Sequence, residues 1–209
     1  MNPMTPTLEA GRPIVPVYFD YASTLCYVAW RIVSALETEL GFTALWKGVP
    51  IRLRNQHSRP GNALGAIERE KILTVIAETG ITVAPPAHWI DSDLALQGAE
   101  LAREARVFAA YHAGVFRAAF EEQRDIARPE ELSAIAAAAG MEPLRFGADL
   151  AAGKMAVRLE QHREEADRFS ALGYPTFILG EFPLTGIQPI ATMRLLLRRY
   201  LEQRSREGN

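Results

Sequence analysis

The sequence predicts an α/β fold in which strand-forming segments at the two ends of the chain enclose a long, purely helical middle. Three observations carry this reading. Residues 13–53 follow a strand, helix, strand pattern; residues 59–163 are alanine-rich and helical almost throughout; residues 173–200 follow a strand, strand, helix pattern. The expected order is βαβ…ββα, a four-stranded α/β sandwich with a large all-helical insertion. A chain of 209 residues suits one domain carrying such an insertion, and 48% hydrophobic with 23% charged residues is enough apolar material for a sizeable core.

The elements follow in order. Val15-Pro-Val-Tyr-Phe19 is a short apolar run rich in β-formers, hence a buried strand. Asp20 to Thr24 is a polar break, and Leu25, Val28, Ala29, Ile32, Val33 and Leu36 then recur at helical spacing until Gly41. Phe42 to Leu53 reads as a second strand interrupted at Gly48-Val-Pro50, which makes the first unit a βαβ crossover. In the middle, helices are expected over Glu68 to Glu78, from a Ser92 cap to about Arg106, over Tyr111 to Gln123, from Pro129 to Gly140, and over Leu144 to Leu150 and Lys154 to Phe169. Pro85-Pro86 marks a loop. Thr176 to Leu179 is a strand, Phe182 to Thr185 its antiparallel partner, and Ile190 to Leu201 a terminal amphipathic helix.

A formal net charge of −2 lacks the basic surplus that a general nucleic-acid or anionic-membrane partner requires. No apolar stretch approaches the ~20 residues needed to span a bilayer, and Met1 to Gly11 does not read as a secretory signal. One cysteine, Cys26, excludes an internal disulfide and a cysteine-rich zinc site; a reducing cytoplasm is the expected compartment. His57, His88, His112 and His162 have no ligand spacing, so no metal is expected.

The informative segment is Phe19-Asp-Tyr-Ala-Ser-Thr-Leu-Cys-Tyr-Val-Ala29, where a strand ends and a helix begins near Ser23. Helix starts leave N–H groups unpaired and carry roughly half a positive charge, so they stabilise an anion or thiolate. Ser23 and Cys26 are three apart and share one face of the first turn. Two further motifs are Gly173-Tyr-Pro-Thr-Phe177 and Leu184-Thr-Gly-Ile-Gln-Pro189.

Together these segments resemble the DsbA-like thioredoxin-fold superfamily. Ser23-Thr-Leu-Cys26 stands where FrnE-like oxidoreductases have Cys-Pro-Trp-Cys, and where 2-hydroxychromene-2-carboxylate isomerases and kappa-class glutathione transferases have Ser-Pro-Tyr-Ser. Gly173 to Phe177 resembles the family's cis-proline loop, and Leu184 to Pro189 the Gly-Ala-Gln-Pro segment of FrnE-like proteins. The resemblance implies a thioredoxin-like unit at residues 13–58 and 165–206, with the helical insertion at 59–164. It implies Ser23 and Cys26 as the catalytic positions and Tyr174, Pro175 and Thr24 as ligand contacts. It also implies a cis Tyr174–Pro175 bond whose preceding backbone faces the helix start. Glutathione is the implied cofactor, a small molecule or thiol the implied substrate, and a homodimer is left open.

The departures shape three competing functions. The family's attacking cysteine is absent, Cys26 occupies the resolving position, and Thr24 replaces the loop proline. The chain is then a monothiol oxidoreductase acting through Cys26, or a glutathione-dependent isomerase or transferase in which Ser23 donates a hydrogen bond to the glutathione sulfur, or a redox-silent binding module. The residues also admit plain structural roles. Ser23 can be a helix cap, Cys26 a small core residue, His88-Trp89 a loop anchor, and Arg194, Arg198 and Arg199 an exposed face. Arg52, Arg54 and Arg59 lie where glutathione-dependent relatives place carboxylate-binding groups, or form a solvated basic edge.

Overall fold

The computed structural model describes residues 11–51, 60–84, 86–171 and 173–207. In chain order they form β1 (Ile14–Phe19), α1 (Thr24–Leu40), β2 (Thr43–Gly48), α2 (Ala66–Thr79), α3 (Asp93–Glu104), α4 (Phe108–Phe120), α5 (Pro129–Ala138), α6 (Pro143–Ala151), α7 (Ala156–Arg168), β3 (Thr176–Leu179), β4 (Phe182–Thr185) and α8 (Ile190–Glu207). The strands make one four-stranded sheet in the order β2-β1-β3-β4. β1 and β2 are parallel, β3 runs antiparallel to β1, and β4 antiparallel to β3. A parallel pair needs a crossover connection, and α1 supplies it.

Side chains of β1 alternate between two apolar layers, as the period of a strand requires. Val15, Val17 and Phe19 join Ile32, Val33 and Leu36 of α1 and Met193 and Leu197 of α8. Tyr18 points the other way and meets Ala166 of α7 with Ile178 of β3. α1 is well delimited. Ser23 caps its start with extended backbone, and Gly41 ends it in the left-handed conformation at φ 69, a region that L side chains rarely adopt. The basic face expected on α8 is partly engaged: Arg194 and Arg198 both reach Glu39 near the end of α1, at 2.7 and 3.6 Å.

The helical region shares the sheet's core. Phe116 of α4 lies 4.9 Å from the Tyr21 ring, 5.6 Å from Trp30 and 6.1 Å from Phe19, centroid to centroid. α3 and α4 pack closely because Gly98 has no side chain; a Cβ there would fall 2.1 Å from the Tyr111 hydroxyl.

Four expectations need correction. β2 stops at Gly48 rather than Leu53. Val49 N–H still reaches the Phe19 carbonyl at 2.8 Å, but Pro50 has no N–H and the Ile51 N–H turns to the Asp20 carboxylate at 2.5 Å. α4 begins at Phe108 and ends at Phe120, short of Gln123, whose φ is 54. Ser92 occupies the cap position of α3 without capping it, because its hydroxyl donates to Asp20. α8 continues past Leu201 to Glu207.

Candidate functional site

The site assembles where β1 ends. Phe19 leads into Asp20, Tyr21 and Ala22, which turn the chain so that Ser23 can cap α1. The Ser23 N–H donates to the Asp20 carbonyl at 3.1 Å, and the Ser23 carbonyl accepts from Cys26 and Tyr27 at 3.0 and 3.1 Å. Its hydroxyl accepts a long bond from the Cys26 N–H, 3.3 Å, and donates an equally long one, 3.4 Å, to the Tyr174 carbonyl. Among the described residues, the N–H groups of Thr24 and Leu25 meet no protein acceptor. The helix start therefore presents two backbone donors and one weakly committed hydroxyl.

The opposite wall is the strand entry at residues 173–175. The Tyr174–Pro175 bond is cis. Gly186 N–H donates to the Pro175 carbonyl at 2.7 Å, and the Thr176 hydroxyl donates to the Gly173 carbonyl at 2.5 Å, so the backbone that faces Ser23 is tied to β3 and β4. Pro175 is buried and Tyr174 half-buried. Burial pushes the Tyr174 phenol up to about 12, with Asp167, Asp20 and Cys26 adding to the effect. Ser23 and Tyr174 thus meet across the site; Thr24, half-buried, opens α1 beside them.

Cys26 lies buried beneath this contact. Its side chain is 0% exposed, and its sulfur accepts from the Asp20 N–H at 3.5 Å. Burial pushes the thiol up to about 12 against the downward pulls of the Ser23 and Asp20 hydrogen bonds, and the Asp20 carboxylate adds a smaller upward push. The nucleophilic form of a cysteine is the thiolate, so Cys26 is neither ionised nor accessible at neutral pH.

Beneath the loop lie groups from the segment that reads in the sequence only as a polar break. Asp20, 1% exposed, accepts from Ala22 N–H at 2.8 Å, from Ile51 N–H, and from the Ser92 hydroxyl. Burial pushes its carboxyl up to about 6 despite these bonds. Tyr21 is wholly buried, and its hydroxyl is 2.8 Å from Nδ1 of His112. An acid directly after an apolar strand and three residues before the cap was the only sequence signal for this cluster.

The remaining expectations separate cleanly. His112 and His162 are single buried rings, the latter hydrogen-bonded from Nδ1 to the Gly48 carbonyl oxygen at 3.2 Å. His88 is exposed, and its strand-like bridge to Ala63 with the Trp89–Asn62 bond anchors a loop. No group of residues suited to a metal ion occurs among the described residues. No described helix is long and apolar enough to cross a membrane. Arg52, Arg54, His57, Arg59 and Pro85 lie outside the described residues.

Comparison with known proteins agrees with this architecture. A 2-hydroxychromene-2-carboxylate isomerase structure superposes with a TM-score of 0.73 at 22% identity, covering 93% of this chain and 97% of the other. A probable DsbA oxidoreductase from Streptomyces coelicolor gives 0.71 at 21% identity, over 90% and 89% of the two chains. The cytosolic disulfide reductase DsbM from Pseudomonas aeruginosa, solved with GSH, gives 0.65 at 23%, over 92% and 99%. At these identities the likeness is one of fold. No curated protein matches the chain. The family model of the DSBA-like thioredoxin domain matches residues 14–198. With a thioredoxin-like βαβ…ββα sheet, helices inserted between its halves and that match along most of its length, the chain belongs to the DSBA-like thioredoxin domain family.

Proposed function

We propose that the protein is a glutathione-dependent enzyme of the isomerase or transferase type, in which the thiol comes from bound glutathione and not from Cys26. The observation that carries this reading is the burial of Cys26 behind Ser23, with its thiol pushed up to about 12. A monothiol oxidoreductase needs an exposed thiolate at that position, and mixed disulfides cannot form on a sulfur that a partner cannot reach.

The residues fit a thiol ligand. Ser23, whose hydroxyl oxygen accepts from the Cys26 N–H, still has a hydroxyl hydrogen to give, and its present bond to the Tyr174 carbonyl is long enough to exchange. Serine does not ionise here; it donates one hydrogen bond to sulfur, and the Thr24 and Leu25 N–H groups with the start of α1 favour the charged form. Tyr174 then offers its backbone as a β-type edge to the peptide portion of the ligand, beside Pro175. Bound glutathione would supply a sulfur nucleophile to an electrophilic small molecule. Helices of the inserted region would flank that molecule, and the half-buried Tyr174 ring would exclude water from one side.

The same reading divides the chain into a thioredoxin-like unit, residues 13–58 with 165–206, and a helical insertion, 59–164, with the seam inside the unbroken helix α7. It places the protein in the cytoplasm, where glutathione is kept reduced. Solved structures of the same fold include the isomerase and the GSH complex of DsbM. Calorimetry with reduced glutathione tests the proposal. Wild type should bind and Ser23→Ala should bind more weakly; absence of binding to wild type overturns it.

A further inference from the structure

We infer that the helical region positions Ser23: Asp20 and Tyr21, successive residues of the loop that delivers it, are each held by a different helix, through Ser92 at the start of α3 and His112 on α4. The inference rests on the reading of Ser23 as the residue that faces the ligand sulfur.

The linkage to Ser23 is short. One Asp20 oxygen, Oδ1, accepts both the Ser92 hydroxyl and the Ala22 N–H, so the bond to α3 and the backbone next to Ser23 share an atom. The Asp20 carbonyl takes the Ser23 N–H itself. Oδ2 takes the Ile51 N–H, which ties in the chain leaving β2. Tyr21, two residues before Ser23, reaches His112 at 2.8 Å. The facing wall at Tyr174 is tied to β3 and β4 instead. The loop side of the Ser23–Tyr174 contact is therefore held by α3 and α4 as well as by the chain leaving β2, and the other side by β3 and β4. A shift of α3 or α4 against the sheet changes the separation of Ser23 from the Tyr174 carbonyl.

Stability does not account for these polar atoms. The His112 ring lies 4.9 Å from those of Phe19, Phe108 and Phe116 and 5.1 Å from Trp46. Burial holds the imidazole neutral, and its Nε2 has no partner among the described residues. An apolar ring at 112 together with phenylalanine at 21 would fill that aromatic box without an orphaned nitrogen. What the Tyr21–His112 bond adds is direction: it fixes where the loop sits relative to α4. Asp20 and Ser92 do the same relative to α3.

The test uses Tyr21→Phe and Ser92→Ala, which remove one hydroxyl each, and Tyr111→Phe as control. Tyr111 is equally buried, starts one residue before His112 on α4, and bonds the Ala95 carbonyl rather than the loop. Each is made in the wild-type chain and in a Ser23→Cys, Cys26→Ala background, where the thiol at 23 reports its distance from the helix start. Both loop variants should raise that thiol's pKa by roughly half a unit, as it drifts from the N-terminal field. Both should weaken glutathione binding about threefold to tenfold, the range expected for one lost buried hydrogen bond. Tyr111→Phe should change neither. Unaltered thiol titration in both loop variants, or equal shifts in all three variants, overturns the inference. If the wild-type chain binds no glutathione, the functional reading fails and the thiol titration alone decides the positioning role.

Discussion

Asp20→Asn measures what it costs this fold to keep a carboxylate under the loop. Burial raises the Asp20 carboxyl from 3.8 to about 6, while the bonds from Ala22, Ser92 and Ile51 pull the other way without prevailing. The folded state thus holds the proton more tightly than the unfolded chain. Its contribution to stability is full below about pH 4 and declines as the pH rises through about 6. Two units at about 1.4 kcal/mol each come to about 3 kcal/mol. Asparagine does not titrate. The unfolding free energy of the variant minus that of wild type should therefore climb by about 2–3 kcal/mol between about pH 4 and pH 7. The amide also sets an N–H against one of the donors that Asp20 now serves, costing about 1–3 kcal/mol, but this offset is independent of pH and cancels in the slope. Urea unfolding followed through Trp30, Trp46 and Trp89 gives both curves. A difference that stays flat across the interval refutes the assigned cost and the view that Asp20 is ionised and buried at neutral pH.

Other outcomes follow from the same geometry. Cys26 should resist iodoacetamide at neutral pH in the native state and react at an ordinary rate once unfolded; fast native labelling would contradict its burial. The reduced protein should show negligible reduction of insulin disulfides, since its one cysteine has no internal partner, and robust turnover by monomer would contradict this. Ser23→Asp should abolish glutathione binding by placing an anion where the sulfur would sit, and its good capping should not restore wild-type stability, because a carboxylate cannot donate to the Tyr174 carbonyl as the hydroxyl does; Ser23→Ala should cost about 1 kcal/mol of stability as well. Gly98→Ala should destabilise by about 1–3 kcal/mol, because the new methyl meets the Tyr111 and Phe146 rings rather than a flexible chain end; a neutral melting temperature would show that α3 and α4 can separate.

Much of the fold was legible because its signals are local. Apolar runs marked β1, β3 and β4, and Gly41, Gly80, Pro129 and Gly140 punctuated helices where backbone geometry requires them. β2 was drawn too long because the apolar pattern continues into Ile51 and Leu53, and nothing local says that the Ile51 N–H leaves the ladder for a side chain. The facing of Ser23 and Tyr174 was legible only through the family's loop motifs. The cluster beneath them was not: Asp20 meets Ser92 across 72 residues and Tyr21 meets His112 across 91, distances over which no periodicity or cap rule operates. Ser92 looked like a cap because serine before a helix usually is one; here a buried carboxylate competes for the same hydroxyl and wins, since leaving it short of a donor would cost more than an uncapped start.

The wide separation of Ser23 from Tyr174 along the chain bears on synthesis. Ser23 and Tyr174 are 151 residues apart, and β1, one of the two inner strands of the sheet, cannot pair with β3 until that stretch has been made. At ~5–20 residues per second the ribosome needs roughly 8–30 s for it. Through that interval the sheet over which Cys26 is buried is incomplete, so its thiol lacks the full burial that pushes it up to about 12 in the folded protein. A sulfur buried in the finished protein is then expected to be most open to oxidation before the sheet is complete. Oxidative damage at Cys26 should therefore mark newly synthesised molecules rather than old ones.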